Sequence, residues 1–249
     1  MKPLIVANWK CNPITKKEAG RIFNSIKTGT KNIKGVEIVV CPPFVYLPLA
    51  LSSKGKFVLG AQNCFWEEKG AFTGEVSALM LKSMGIDYVI VGHSERRKYF
   101  KETDEEINGK IKKALSAGLK IILCVGETGQ ERDSGKKTNV IKNQMARGLE
   151  RIAKTEMKNI SIAYEPVWAI GTGNNCSVEE TMTSVLFIRQ TLSNIYGRGI
   201  ADKTRILYGG SVKGDNSGPY IKEALANGLL VGGASLKGDE FAKIAKSAL

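Results

Sequence analysis

Glu165 stands directly after the apolar run Ile160-Ser161-Ile162-Ala163-Tyr164 and directly before Pro166. Proline fixes its own φ and disfavours the helical region for the residue before it, so the chain leaves the run at a defined angle. The segment that follows, Val167-Trp168-Ala169-Ile170-Gly171-Thr172-Gly173, is apolar and ends in small residues, which suits a flap with a small-residue hinge. A carboxylate under an apolar flap is a candidate general base. His93, the chain's single histidine, follows another apolar run, Tyr88 to Val91. Asn8 and Lys10 follow a third, Leu4 to Ala7, and offer a hydrogen-bond donor and a fixed cation. Gly209-Gly210-Ser211 and Gly232-Gly233 follow two more, and such glycines let backbone N–H groups approach an anion. Singly, each has a plain structural reading: a surface carboxylate, a packed histidine, one lysine of many, ordinary turns.

What positions these residues is a repeat of short strands and amphipathic helices. Strands are expected at Leu4–Ala7, Val36–Val40, Phe57–Ala61, Tyr88–Val91, Lys120–Val125, Ile160–Tyr164, Arg205–Tyr208 and Gly228–Val231. Between them, Thr15-Lys16-Lys17-Glu18, Thr103-Asp104-Glu105-Glu106 and Ser177-Val178-Glu179-Glu180 have the capping-box pattern that opens a helix. Further helices are expected near Val76–Met84, from about Lys137 to Lys154 and at the C-terminus. Short apolar strands alternating with helices predict a parallel sheet covered by helices. About eight units with no linker predict one α/β domain over residues 1–249, a closed (β/α)8 barrel with parallel strands. In such a barrel the residues named above all fall at the C-terminal ends of strands, where active sites are built, and the last two loops are the usual phosphate-binding pair.

Composition narrows the function. Gly171-Thr172-Gly173-Asn174-Asn175-Cys176 fails the dinucleotide fingerprint at its last glycine, and no Walker A pattern exists, so no cofactor is expected. Five cysteines without CxxC spacing and one histidine make a metal site improbable and fit reduced thiols in a cytoplasm. No leader peptide is evident, and the weakly polar run from Ile38 to Leu51 is broken by three prolines and too short to span a bilayer. The net charge of +13 is carried by basic residues in ones to threes, usually near acids, with no basic arm or aromatic-interleaved stripe. It reads as a solvated surface that attracts small anions; no nucleic acid or membrane partner is expected.

The chain resembles the triosephosphate isomerase family over essentially its whole length. The matching stretches include Ala7-Asn8-Trp9-Lys10, Gly60-Ala61-Gln62-Asn63, Gly70-Ala71-Phe72-Thr73-Gly74-Glu75, Val91-Gly92-His93-Ser94-Glu95-Arg96-Arg97, Cys124-Val125-Gly126-Glu127, Tyr164 through Gly173, Tyr208-Gly209-Gly210-Ser211-Val212 and Val231-Gly232-Gly233-Ala234-Ser235. The resemblance implies interconversion of dihydroxyacetone phosphate and D-glyceraldehyde 3-phosphate through an enediolate, a step of glycolysis and gluconeogenesis. It implies Glu165 as base, neutral His93 as electrophile with its pKa lowered by a helix N-terminus, Lys10 as cation, Asn8 as donor and Glu95 as the lysine's partner. Gly171, Ser211, Gly232 and Gly233 would hold the phosphate through backbone N–H groups, under a lid running from Pro166 to Gly173.

The long connection Gln62–Glu75 carries Phe65, Trp66 and Phe72, an apolar projection that implies an interface. In the family this loop meets the segment around Cys11 of a second subunit, forming a homodimer. Cys11 replaces a common methionine there and Pro13 a common glycine. Two other readings compete: another phosphosugar barrel, such as an aldolase, and a catalytically dead barrel used for binding. An aldolase needs either a Schiff-base lysine at a strand end near the barrel centre or a metal cluster, and neither is apparent; the intact Asn8, Lys10, His93 and Glu165 argue against a dead scaffold.

Overall fold

The structure is a computed structural model that describes residues 1–53, 55–171 and 175–249. Eight parallel strands close a barrel in sequence order. They are β1 (Leu4–Asn8), β2 (Glu37–Cys41), β3 (Val58–Ala61), β4 (Tyr88–Val91), β5 (Lys120–Val125), β6 (Ile160–Tyr164), β7 (Ile206–Tyr208) and β8 (Gly228–Val231). β1 and β8 seal the ring, with Leu4 opposite Gly228 and Ala7 opposite Val231.

The α-helices around the ring are α1 (Lys16–Thr30), α2 (Leu47–Ser52), α3 (Ala78–Ser83), α4 (Ser94–Phe100), α5 (Asp104–Ser116), α6 (Gly129–Asp133), α7 (Lys137–Gly148), α8 (Val178–Tyr196), α9 (Arg198–Ala201), α10 (Ser217–Lys222) and α11 (Gly238–Ser247). No helix of the described residues is long and apolar enough to cross a membrane.

Alternation along each strand produces two cores. One, made of strand residues alone, fills the barrel with Leu4, Val6, Val39, Tyr88, Ile90, Ile122, Ala163, Leu207 and their neighbours. The other lies between strands and helices and takes the alternate residues, among them Ile5, Val40, Val89, Leu123, Ile162 and Tyr164, against helix positions such as Phe23, Ile111, Ile188 and Phe241. The small residues Ser161 and Ala163 on β6 therefore face the crowded interior, while the bulky ones face outward.

The helix starts follow the expected capping chemistry unevenly. Thr103 and Glu106 form the reciprocal box, whereas Thr15 and Ser177 accept from the N–H three residues on without the return bond. A second full box, Thr128 with Glu131, opens the unexpected α6. α3 starts at Ala78 rather than near Val76, because Ser77 is its cap. The helix expected to reach Lys154 stops at Gly148; Arg151 takes a left-handed conformation, φ 59°, and a 3-10 turn, Lys154–Asn159, leads into β6. Of the three aromatic residues of the Gln62–Glu75 loop, only Phe72 is exposed. Phe65 is buried, stacked between Trp66 at 4.2 Å and Phe72 at 4.8 Å, and Trp66 lies against Gly109 of α5.

The N-terminal end of the barrel is closed by charge. Tyr88 donates to Glu37 Oε1 at 2.7 Å, Arg205 donates to Glu37 Oε2 at 2.6 Å and to Tyr88 Oη at 3.1 Å, and Lys120 stands 3.6 Å from Glu37. Burial pushes the Glu37 carboxyl up, but the Tyr88 and Arg205 hydrogen bonds outweigh it and hold its pKa below the ordinary carboxylate value. A depressed carboxyl stabilises the fold fully above its unfolded pKa, about 4.3, and the gain is lost as pH falls through the folded value. Glu37→Gln is expected to cost about 1–2 kcal/mol at pH 7 in urea unfolding, discounted for partial solvation, and the gap should close below pH 4. An equal gap at both pH values would assign the loss to packing instead of charge.

Candidate active site

A cavity of about 720 Å³ opens at the C-terminal ends of the strands. Asn8, Lys10, His93, Glu165, Gly171, Ser211, Gly232 and Gly233 all line it; Glu95 does not, and reaches it through Lys10. Thr172, Gly173 and Asn174, with the end of the expected lid, lie outside the described residues.

Glu165 is only 2% exposed. A buried carboxylate costs several kcal/mol unless hydrogen-bonded, and both of its oxygens are used. Oε1 lies 2.9 Å from His93 Nε2, and Oε2 accepts from the Ser94 N–H at 2.8 Å. Its backbone is fixed as well: Glu165 N–H donates to Val125 O at 2.8 Å, and Gly209 N–H donates to Tyr164 O at 2.7 Å. A Cβ on Gly126 would fall 1.8 Å from the Glu165 carbonyl oxygen, so only glycine lets the end of β5 and the Glu165 backbone come this close.

His93 is the N-cap of α4, and its Nδ1 accepts from the Glu95 N–H at 3.2 Å. An Nδ1 that accepts carries no proton, which places the single proton of a neutral ring on Nε2, facing Glu165. Burial pulls the His93 pKa down, but the Glu165 carboxylate more than offsets it, so the direction here is upward. This corrects the expectation of a lowered value: the Glu165 carboxylate, resting on the imidazole, outweighs the burial that acts against it. In the same pairing, burial pushes the Glu165 carboxyl up while His93, the Ser94 N–H and Lys10 together hold it below the ordinary range.

Lys10 has φ 54°, a left-handed conformation that is strained for a residue with a Cβ. Its N–H donates to Asn8 Oδ1 at 3.0 Å, and its carbonyl accepts from Gln62 Nε2 at 2.9 Å, which also bonds the Cys41 carbonyl. The turn throws the ammonium across the cavity floor, where it meets Glu95 Oε1 at 2.5 Å. A Cβ on Gly232 would sit 3.2 Å from Lys10 Cε, so that glycine leaves the lysine room. Gln62 is the residue that sequence reasoning left without a role. It lies in a stretch quoted for the resemblance, yet nothing in its type marks it as the brace of a strained lysine.

Gly232 caps a 3-10 turn, Gly233–Leu236, whose first residues line the cavity. The Ser211 hydroxyl is engaged elsewhere: Oγ donates to Ala169 O at 2.7 Å, tying the loop after β7 to the start of the expected flap. Beneath the flap the fully buried Glu127 accepts from Trp168 Nε1 at 2.9 Å and Tyr164 Oη at 3.1 Å, and the Val167 N–H donates to its carbonyl at 3.0 Å. Burial raises the Glu127 pKa, Trp168 and Lys137 opposing. The site thus joins a carboxylate, a one-proton imidazole, a cation and a row of N–H groups around one cavity.

A sequence profile of the triosephosphate isomerase family matches residues 3–248. The chain is 50% identical over 242 residues to a triosephosphate isomerase of Alkaliphilus metalliredigens, covering 96% of this chain and 97% of that one. It is 47% identical over 245 residues to that of Caldanaerobacter subterraneus subsp. tengcongensis, covering 98% of each, and 47% identical over 250 residues to that of Carboxydothermus hydrogenoformans, covering 100% and 99%. Matched by the family profile over nearly its whole length and about half identical to these relatives, the chain belongs to the triosephosphate isomerase family and is an aldose–ketose isomerase.

Proposed function

We propose that the chain interconverts dihydroxyacetone phosphate and D-glyceraldehyde 3-phosphate in the cytoplasm, with Glu165 as the base. The observation that carries this reading is a buried carboxylate held against His93 Nε2 at the wall of a cavity that Lys10 also enters. Glu165 takes a proton from the carbon beside the carbonyl, and the electron pair moves through the forming C–C double bond onto the carbonyl oxygen. The resulting enediolate is stabilised by Lys10 and Asn8 and by the Nε2–H of His93. His93 donates that proton to one oxygen and recovers one from the other, and Glu165 returns its proton to the neighbouring carbon.

For this the carboxylate must leave Nε2. Its departure removes the larger of the two influences that hold the His93 pKa up; burial, the largest cause of all, and Lys10 then act downward against Glu95 alone and favour the neutral ring. The phosphate rests on Gly171, Ser211, Gly232 and Gly233, and closure of the flap over it keeps water from an intermediate that can otherwise eliminate phosphate.

The reading includes a homodimer. Ile14 is 92% exposed and Val45 77%, and Phe72, in the Gln62–Glu75 loop, and Phe100, at the end of α4, are exposed as well. A second copy of the chain would cover these residues through the Gln62–Glu75 loop and the Cys11 segment.

The direct test is a coupled assay with glyceraldehyde 3-phosphate. Glu165→Asp, which retracts the carboxylate by one methylene, and Glu165→Gln should lower kcat by orders of magnitude with the unfolding transition little changed; normal turnover would reject the base. Lys10→Ala should lower kcat/KM at least a hundredfold through both binding and turnover, and unchanged kinetics would remove its electrostatic role. Sedimentation should give a dimer at micromolar concentration, and a strict monomer would remove the interface.

A further inference from the structure

The proposed phosphate cradle is made of two pieces. Ser211 belongs to the loop after β7, residues 209–216, whereas Gly232 and Gly233 belong to the turn after β8 that runs on into α11. Such a cradle holds its ligand only while its pieces keep a fixed spacing, and a misplacement of about 1 Å is costly. The sheet does little to set that spacing. β7 and β8 share a single register pair, Tyr208 with Leu229, whereas β5 and β6 share five. Below that pair the strands are pinned by Asn227, whose N–H donates to Ile206 O at 2.7 Å and whose Oδ1 accepts from the Ile206 N–H at 3.0 Å. Above it the chain turns to β6, Gly209 N–H donating to Tyr164 O at 2.7 Å.

The loop after β7 is braced within itself. Lys213 N–H donates to Asn216 Oδ1 at 2.7 Å, and Asn216 Nδ2 donates to Ser211 O at 3.3 Å. It is fastened to the next unit at one point: Gly214 N–H donates to Glu240 Oε1 at 2.7 Å. Among the described residues this is the one hydrogen bond between the loop and residues 232–247. The approach is close, since a Cβ on Gly214 would lie 3.0 Å from that of Lys243, about one turn further along α11.

Glu240 is the third residue of α11. From the same place on α5 and α6, Glu106 and Glu131 return to the N–H of their own N-cap. Glu240 does not; α11 begins with no side-chain cap, and the carboxylate goes to the neighbouring loop instead. It also lines the cavity beside Ser211, Gly232 and Gly233.

We infer that Glu240 is a positioning residue that ties the loop after β7 to the first turn of α11 and so fixes the distance between the two halves of the phosphate cradle. The inference rests on the reading of this cavity as a triose phosphate site. A hydrogen bond accepted by a carboxylate is among the stronger kinds, which suits a lone fastening. Glu240 takes no part in the proton transfers. Its effect is on how the phosphate is held, which is felt alike by substrate and transition state, so its loss raises KM and spares kcat.

The test compares Glu240→Ala, Glu240→Asp and Glu240→Gln with Asp239→Ala, which removes the same charge from the same helical turn. KM and kcat come from the coupled assay, and the Kd of inorganic phosphate from broadening of its 31P resonance. Glu240→Ala should raise KM and the phosphate Kd by about fivefold or more, with kcat within about twofold. Glu240→Asp keeps the charge but draws the acceptor back by one methylene; it should raise both by about threefold, and it decides the matter if the alanine variant does not fold. Glu240→Gln, whose amide oxygen can accept the same bond, and Asp239→Ala should stay within about twofold of the parent. Unchanged phosphate binding in Glu240→Ala and Glu240→Asp overturns the inference. So does an equal loss in Glu240→Gln or Asp239→Ala, which would make charge the cause, or a fall in kcat alone. A parent that binds phosphate without isomerising rejects the isomerase reading and leaves the phosphate titration to decide on Glu240, while a parent that binds none overturns both.

Discussion

A carboxylate buried to 2% exposure must be hydrogen-bonded at both oxygens, and much of this molecule answers to that demand at Glu165. The Ser94 N–H is available because α4 begins there, and α4 begins there because His93 caps it. That cap in turn leaves the imidazole proton on Nε2, aimed at the carboxylate. The end of β5 contributes the Val125 carbonyl that receives the Glu165 N–H, and Gly126 follows it where any Cβ would strike the Glu165 backbone. One buried charge therefore dictates the register of β5 against β6, the start of a helix and the protonation of a ring.

Lys10 shows a second constraint of the same kind. Its left-handed backbone is unfavourable by itself, and it persists because Asn8, at the end of β1, and Gln62, just after β3, satisfy its N–H and carbonyl. The strain is what points the ammonium at the cavity. Asn8 therefore acts twice, as a wall of the cavity and as the support of the cation beside it.

Most of the site was legible because barrel topology gathers strand ends. Once the alternation of short strands and helices was read, Asn8, Lys10, His93, Glu165 and the two glycine pairs had to share one rim, although they are far apart in the chain. The family resemblance then supplied the roles that residue types alone left open. What escaped was what depends on geometry. α7 stops at Gly148, and beyond its cap Arg151 turns left-handed without being glycine or asparagine, so the reversal left no mark in composition. Thr128-Gly129-Gln130-Glu131 has the box spacing but opens a helix of only five residues, too short for a hydrophobic period. Phe65 and Trp66 read as a projection and folded back, since aromatic residues satisfy one another when a glycine on α5 leaves a seat. The direction of the His93 pKa depended on where a side chain 72 positions away comes to rest.

The seal between β1 and β8 has a meaning for how the molecule is made. Gly228 lies so close to Leu4 that a side chain there would strike its carbonyl, and behind this pairing α1 and α11 pack in the same tight manner. The first and last units of the chain are thus joined by contacts spanning more than 200 residues. During synthesis, seven units can emerge with one edge of the sheet unpaired, and the ring is finished only when the final strand arrives. Completion of the barrel is in effect a check that the whole chain has been delivered.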